Sequence, residues 1–166
     1  MKKWRGLWVI LAIVLLCSAV GWGVLRATAE LPELGEPVSY AVNNIDGLTL
    51  EMTEPVWSPF TGYSFHWKIT ADTPEVYRFS TADRGFEYLE RRVDGQWYRL
   101  EYTQEDYGFH PAEFAVGGDT TGFEGSLVQK YNDYGTRLED GLYRLTLEVI
   151  APDGSLCYLA HEFTVD

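Results

Sequence analysis

Twenty consecutive residues from Gly6 to Leu25, GLWVILAIVLLCSAVGWGVL, carry no charge and leave no polar face for a helix to turn towards water. At 1.5 Å rise per residue such a helix is about 30 Å long, the thickness of a bilayer's hydrocarbon. Lys2, Lys3 and Arg5 precede the run and Arg26 follows it, a bias that keeps the N-terminus in the cytoplasm and sends the rest outward. We therefore expect a cytoplasmic basic stub at 1–5, a transmembrane helix or signal-anchor at 6–25, a short linker at 26–37 and an extracytoplasmic domain at 38–166. The lipid bilayer is then the first partner, and the location is the cell membrane, in a single pass. The stretch RATAELPELGEP, with two prolines and three glutamates, reads as the linker.

Two other forms of export compete with the anchor. Ala27-Thr28-Ala29 has the small-x-small form of a signal-peptidase site, so cleavage after Ala29 and secretion is the second choice. The apolar run is longer than the roughly 7–15 residues of a usual signal core, which favours retention. A lipoprotein, using Cys17, needs a small preceding residue, and Leu16 is not small. No internal disulfide is expected, because Cys157 is the one thiol outside the run. The domain must rest on its core.

Charge narrows the partners. The chain holds 13 Lys plus Arg and 25 Asp plus Glu. Residues 1–30 contain four of the former and one of the latter, which leaves a net of 9 − 24 = −15 on residues 31–166. A surface so acidic repels phosphate backbones, so no nucleic acid is expected as a partner.

Strand signals fill the rest of the chain. Tyr63, Phe65, Trp67 and Ile69 alternate with Ser64, His66, Lys68 and Thr70, the period of a strand with one buried face. Further strands are expected at Val38–Asn43, Leu48–Met52, Val76–Ser80, Phe86–Val93, Gln96–Tyr102, Gly122–Val128, Tyr143–Ile150 and Leu156–Val165. Two turns set registers. Asp94-Gly95 suits a two-residue type I′ hairpin, which places Arg92 opposite Trp97, Glu90 opposite Arg99 and Leu89 opposite Leu100. Pro152-Asp153-Gly154 suits a type I turn followed by a left-handed residue and a bulge. That loop pairs Val149 with Cys157, Leu147 with Leu159, Leu145 with His161 and Tyr143 with Phe163. A slip of one residue would put Glu162 opposite Leu145 on the buried face.

Glu139-Asp140-Gly141-Leu142-Tyr143 has the acid, glycine, tyrosine spacing of the corner in which a Tyr hydroxyl bonds back to upstream backbone. Leu145 stands where an immunoglobulin has its second Cys. The expected fold class is all-β, an immunoglobulin-like antiparallel β-sandwich preceded by one N-terminal transmembrane helix, with Trp67, Trp97, Gly141 and Tyr143 as structural residues.

Gly47-Leu48-Thr49-Leu50, Phe86 onward into Asp94-Gly95-Gln96-Trp97-Tyr98, and Tyr134-Gly135 through Leu138 to Gly141-Leu142-Tyr143-Arg144 together resemble a family of bacterial immunoglobulin-like domains of exported, membrane-anchored proteins. The resemblance covers residues 45–166. It implies an adhesion or scaffold module towards a protein or cell-envelope partner, with no catalytic residues and no cofactor.

The side chains that could carry chemistry point the same way. His66, His110 and His161 share no metal-ligand spacing. His161 reads as a hydrogen-bonded core residue, and Cys157, mid-strand on the core side, as a small apolar filler. No Gly-x-Ser-x-Gly and no Asp-x-Asp-x-Asp-Gly occurs, although Glu105, Asp106, Asp133 and Asp140 leave a loop-built calcium site as an alternative. Tyr98, Tyr102, Tyr107 and Phe109, interleaved with acids, form the first candidate recognition patch. The reading that stands ahead of that one is that the same residues simply cover the open end of the sandwich. An extended loop at Thr103–Phe109 supports the alternative function, an extracellular protease-inhibitor-like domain.

Overall fold

A computed structural model of the 166-residue chain describes residues 2–27, 31–58, 62–80, 87–101, 113–128 and 138–166, with side chains described at 8–21 of the helix and not at 58, 62, 80 and 123–128. It divides into two compact units, Met1–Glu30 and Leu31–Asp166.

The first unit is one helix, α1, Lys2–Ala27. Its described side chains are apolar all round. Trp8, Ile10, Leu15 and Leu16 each expose more than three-fifths of their surface. Ser18, the hydroxyl among them, donates back to the Val14 carbonyl at 2.8 Å, so its polar group is satisfied within the helix. Among the described residues no helix is long and apolar enough to cross a membrane. Residues 8–21 are 14 in number (21 − 8 + 1), about 21 Å of helix, and the expected span Gly6–Leu25 runs past them at both ends.

Among the described residues the second unit has eleven strands: β1 Leu34–Pro37, β2 Leu48–Met52, β3 Val56–Ser58, β4 Gly62–Ala71, β5 Tyr77–Ser80, β6 Glu87–Val93, β7 Gln96–Leu100, β8 Glu113–Val116, β9 Gly122–Val128, β10 Gly141–Ile150 and β11 Leu156–Val165. All pairings are antiparallel. In the seven-stranded sheet β10 is central, with β11 along one edge. Its other edge is shared by β6, which continues to β7 and β1, and by β5, which continues to β8. In the four-stranded sheet β4 takes β2 and β3 in turn on one edge and β9 on the other.

The two sheets share one core, which is the arrangement of a β-sandwich. Phe65, Trp67 and Ile69 of β4 face Leu89, Tyr143, Leu145, Leu147 and Phe163 of the larger sheet, all of them buried. Across the layers the Phe65 and Phe163 rings lie 5.2 Å apart, and Phe163 stacks on Tyr143 at 5.7 Å. The alternation expected for Tyr63–Ile69 holds, with His66 and Lys68 exposed.

Both hairpins fall in the expected registers. Arg92 pairs with Trp97 and Glu90 with Arg99, around Asp94 at φ 50° and Gly95 at φ 85°, the two left-handed residues of a type I′ turn. Tyr143, Leu145, Leu147 and Val149 pair with Phe163, His161, Leu159 and Cys157. Gly154 there is at φ 85° and donates to Ala151 at 2.9 Å.

Four elements depart from expectation. β1 lies inside the stretch read as linker, and the compact unit begins at Leu31 rather than at 38. Pro37 has no N–H to give a central ladder, so β1 sits at the sheet's end. β3 and β8 are additional short strands, and Val38–Asn43 is not a strand. That last segment is a strap over the outer face of the larger sheet. Val38 donates to the Trp97 carbonyl on β7, and Asn43 to the Tyr158 carbonyl on β11, each at 2.8 Å. Crossing from β7 to β11 spans three strand spacings, about 14 Å, and the five steps from 38 to 43 reach about 16 Å when extended. The Val38, Tyr40, Val42 alternation is therefore real, but it serves a crossing.

Asn43 fastens the far end of the strap. It is left-handed, at φ 57°, and its side-chain amide both donates to the Ala160 carbonyl (2.9 Å) and accepts from the Ala160 N–H (2.8 Å), as a paired strand residue would. Asn43→Ala should lower unfolding free energy by about 2 kcal/mol, from two lost hydrogen bonds and a left-handed residue with no side-chain compensation. Urea titration of the two chains measures it.

Candidate functional site

The corner read from Glu139 to Tyr143 is present. The Tyr143 hydroxyl donates to the Glu139 carbonyl at 2.8 Å, and the ring is buried. Burial, ahead of the smaller effects of its neighbours, pushes the Tyr143 phenol up to about 12. Arg91 braces this corner from β6, pairing with Glu139, lying 5.7 Å from the Tyr143 ring centroid and donating to the Asp140 carbonyl at 3.3 Å. Gly141 begins β10 opposite Val165, two residues before the tyrosine. Tyr143→Phe keeps the ring and loses one hydrogen bond. Its midpoint of thermal unfolding should drop by the few degrees that about 1 kcal/mol represents.

Among the described residues, the outer face of the larger sheet gathers a group of polar and aromatic side chains. Strands β6, β7, β10 and β11 turn Tyr88, Glu90, Arg92, Trp97, Arg99, Arg144, Thr146, Glu148 and Tyr158 to this side, and the strap lays Tyr40 over them. Glu90 is fully buried and Arg144 is 4 % exposed, with Arg144 Nε 2.5 Å from Glu90 Oε2. The other carboxylate oxygen of Glu90 accepts the Tyr40 hydroxyl. That phenol oxygen in turn accepts from Arg99 Nη2 at 2.9 Å.

Rings sandwich the two cations. Arg99 stands 3.7 Å over the Tyr88 centroid and Arg144 4.4 Å over that of Trp97, while Arg92 lies 5.9 Å from the Trp97 centroid. Tyr40 stacks on Tyr158 with centroids 3.7 Å apart and planes within 10°. Burial first, and then the Glu90 carboxylate, push the Tyr40 phenol well above the ordinary tyrosine range, so it stays a donor at every physiological pH. Burial likewise raises Glu148 and Tyr158. This is a fixed charge and ring network, with a donor, an acceptor and a stacking face aimed at one phenol.

On the inner side, Trp67 of β4 donates Nε1–H to Glu87 Oε1 of β6 at 2.7 Å, a hydrogen bond between the sheets. Burial pushes the Glu87 carboxyl up to about 7, against the lowering effect of that bond.

At the hairpin end of the unit, an open depression of about 520 Å³ is lined by Asp46, Glu75, Asp153, Tyr77, Cys157 and neighbouring backbone turns. Its carboxylates are partly engaged. Asp153 accepts from the Ser155 hydroxyl (2.6 Å) and N–H (2.9 Å), which hold its carboxyl below the usual range, and Glu75 accepts from Tyr77 at 3.0 Å. Among the described residues no group of three or more His, Cys, Asp or Glu is placed to hold a metal ion.

Most of the candidate recognition patch lies outside the described residues. Tyr102, Tyr107 and Phe109 fall outside the described residues, as do the loop Thr103–Phe109, His110, Glu105, Asp106 and Asp133. Tyr98 is half-buried on the core-facing side of β7, opposite Arg91. It thus faces away from the group around Trp97. His161 and Cys157 face inward but are half-buried rather than enclosed, and both thiols are free. What sequence reasoning missed is Tyr40 and Arg144. An arginine in the apolar run Leu142–Leu147 was the available signal, because a cation on a central strand needs a buried partner.

No protein-family model matches the chain, and a comparison with curated proteins finds no match.

Proposed function

We propose that the chain is a membrane-anchored, extracytoplasmic module of immunoglobulin-like architecture that binds or holds a protein or cell-envelope partner. The observation that carries the reading is α1, whose described side chains expose nine large apolar groups with no polar face. A helix apolar on all sides is stable where its surroundings are apolar, and the twenty uncharged residues of Gly6–Leu25 match the bilayer's hydrocarbon in length. The basic residues before it favour an outward β unit. The bond from Tyr143 to the Glu139 carbonyl, together with the two antiparallel layers, supports the immunoglobulin-like assignment.

A binding role is supported by the outer face, where rigid rings and arginines, the side chains favoured at recognition surfaces, are concentrated. The test is photocrosslinking in cells that produce the full chain, with p-benzoylphenylalanine at Leu156 or at Tyr107. A discrete heavier adduct from the membrane fraction is expected from at least one position. Folded, membrane-bound chain that gives no adduct from either would overturn the binding role.

A further inference from the structure

We propose that the outer face of the larger sheet carries a tyrosine-binding slot, filled in cis by Tyr40 of the strap, and that a tyrosine on an extended segment of a protein partner can take its place. The inference rests on the binding reading above and names what that partner would present.

The slot has the parts a phenol receptor needs. Glu90 accepts the hydroxyl proton, Arg99 Nη2 donates to the phenol oxygen at 2.9 Å, and Tyr158 supplies a parallel ring at 3.7 Å. The guanidinium carbons of Arg99 and Arg144 stand 5.8 and 5.9 Å from the Tyr40 ring centroid. All four groups belong to strands β6, β7, β10 and β11, so the receptor is held by the sheet and not by the strap. Arg144, locked on Glu90 and Trp97, keeps the carboxylate in place without a ligand. Phenylalanine would leave the Arg99 and Glu90 contacts unmade, which is how a site built to hydrogen-bond a hydroxyl discriminates.

The same geometry permits exchange, because the strap is fastened at its ends and by this one ring. Residues 38–44 contribute no side chain to the core, which the chain enters at Ile45. The strap's other bonds lie at its two ends, where Val38 pairs with Trp97 and accepts from Gln96 Nε2 and where Asn43 bonds Tyr158 and Ala160, and the slot groups under Tyr40 are charged or aromatic with polar tips, which water can solvate. Segments with few buried apolar contacts open below the global unfolding free energy.

The experiment uses the full chain in detergent micelles, with Tyr40→Ala and with p-cresol as the probe and p-xylene as its hydroxyl-free counterpart. Saturating p-cresol should raise the unfolding midpoint of Tyr40→Ala by roughly 3 °C or more while moving the wild type by less than about 1 °C, and p-xylene should do less than half as much. Equal shifts in both chains, or equal shifts from both probes, would overturn the slot.

If Tyr40→Ala does not fold alone, it is refolded with p-cresol present. Recovery supports the slot, and failure in both conditions counts against it. Hydrogen exchange of the wild type tests replaceability. The Val38 and Asn43 amides should exchange at least tenfold faster than those of Leu145 and Leu147, whereas a common rate would mean that the strap opens only with the whole unit. Failure of rescue alongside a positive crosslink would remove the slot and leave the binding role standing.

Discussion

Arg144→Ala should destabilise the β unit by about 3–5 kcal/mol, enough to abolish most of the stability of an ordinary domain. The cost is not the loss of an attractive contact alone. Glu90 is fully buried, and removing the guanidinium leaves its carboxylate in a low-dielectric site with the Tyr40 hydroxyl as its remaining hydrogen-bond partner. Trp97 also loses the cation 4.4 Å from its ring. The paired change Glu90→Leu with Arg144→Met should cost much less than Arg144→Ala, because it removes both charges and keeps the volume. Urea unfolding of the three variants, followed by tryptophan emission, distinguishes these outcomes. A single-variant loss below about 1 kcal/mol would mean that the pair is solvated in solution.

Glu87 predicts a dependence on pH with the opposite sign to that of a salt-bridged acid. Its carboxyl is pushed up to about 7 in the folded chain, from an ordinary value of 4.5. Between those values the native state holds a proton that the unfolded chain has released. The stabilisation from the protonated group is thus fully present below about pH 4.5 and is lost as pH rises through 7. Glu87→Gln keeps an acceptor for Trp67 and cannot ionise. Its stability relative to wild type should be near zero at pH 4.5 and should reach about 2–3 kcal/mol in its favour by pH 8. The measurement is the difference in unfolding free energy between the two chains across that range. A flat difference would show that the carboxyl is solvated, and a difference falling with pH would show that it is held as the anion.

What could be read from the sequence was whatever local chemistry dictates. Asp94-Gly95 and Pro152-Asp153-Gly154 fix turns through backbone angles that few other residues adopt, and each turn fixes the register of the strands it joins. The corner at Tyr143 is equally local, since its hydroxyl reaches a carbonyl four residues back. The three missed strands are short and have no turn signal of their own: β1 ends on Pro37, β3 has three residues and β8 four.

The strap shows where periodicity misleads. Val38, Tyr40 and Val42 alternate as in a strand because one face of any extended segment meets protein, whether it runs along a sheet or across it. The phenol slot was illegible for the same reason. Glu90, Arg99, Arg144 and Tyr158 come from four strands and converge on Tyr40 only through that crossing. Arg92 on Trp97 could be foreseen because the two are cross-strand partners in a hairpin.

The most direct test of the account is where the β unit stands relative to the bilayer. In cells producing the full chain, alkaline carbonate should leave it in the membrane pellet, and protease given access to the outer side of the cytoplasmic membrane should digest the β unit while a cytoplasmic control survives. Release of the intact chain into the carbonate supernatant, or protection of the β unit until the membrane is broken, would contradict it.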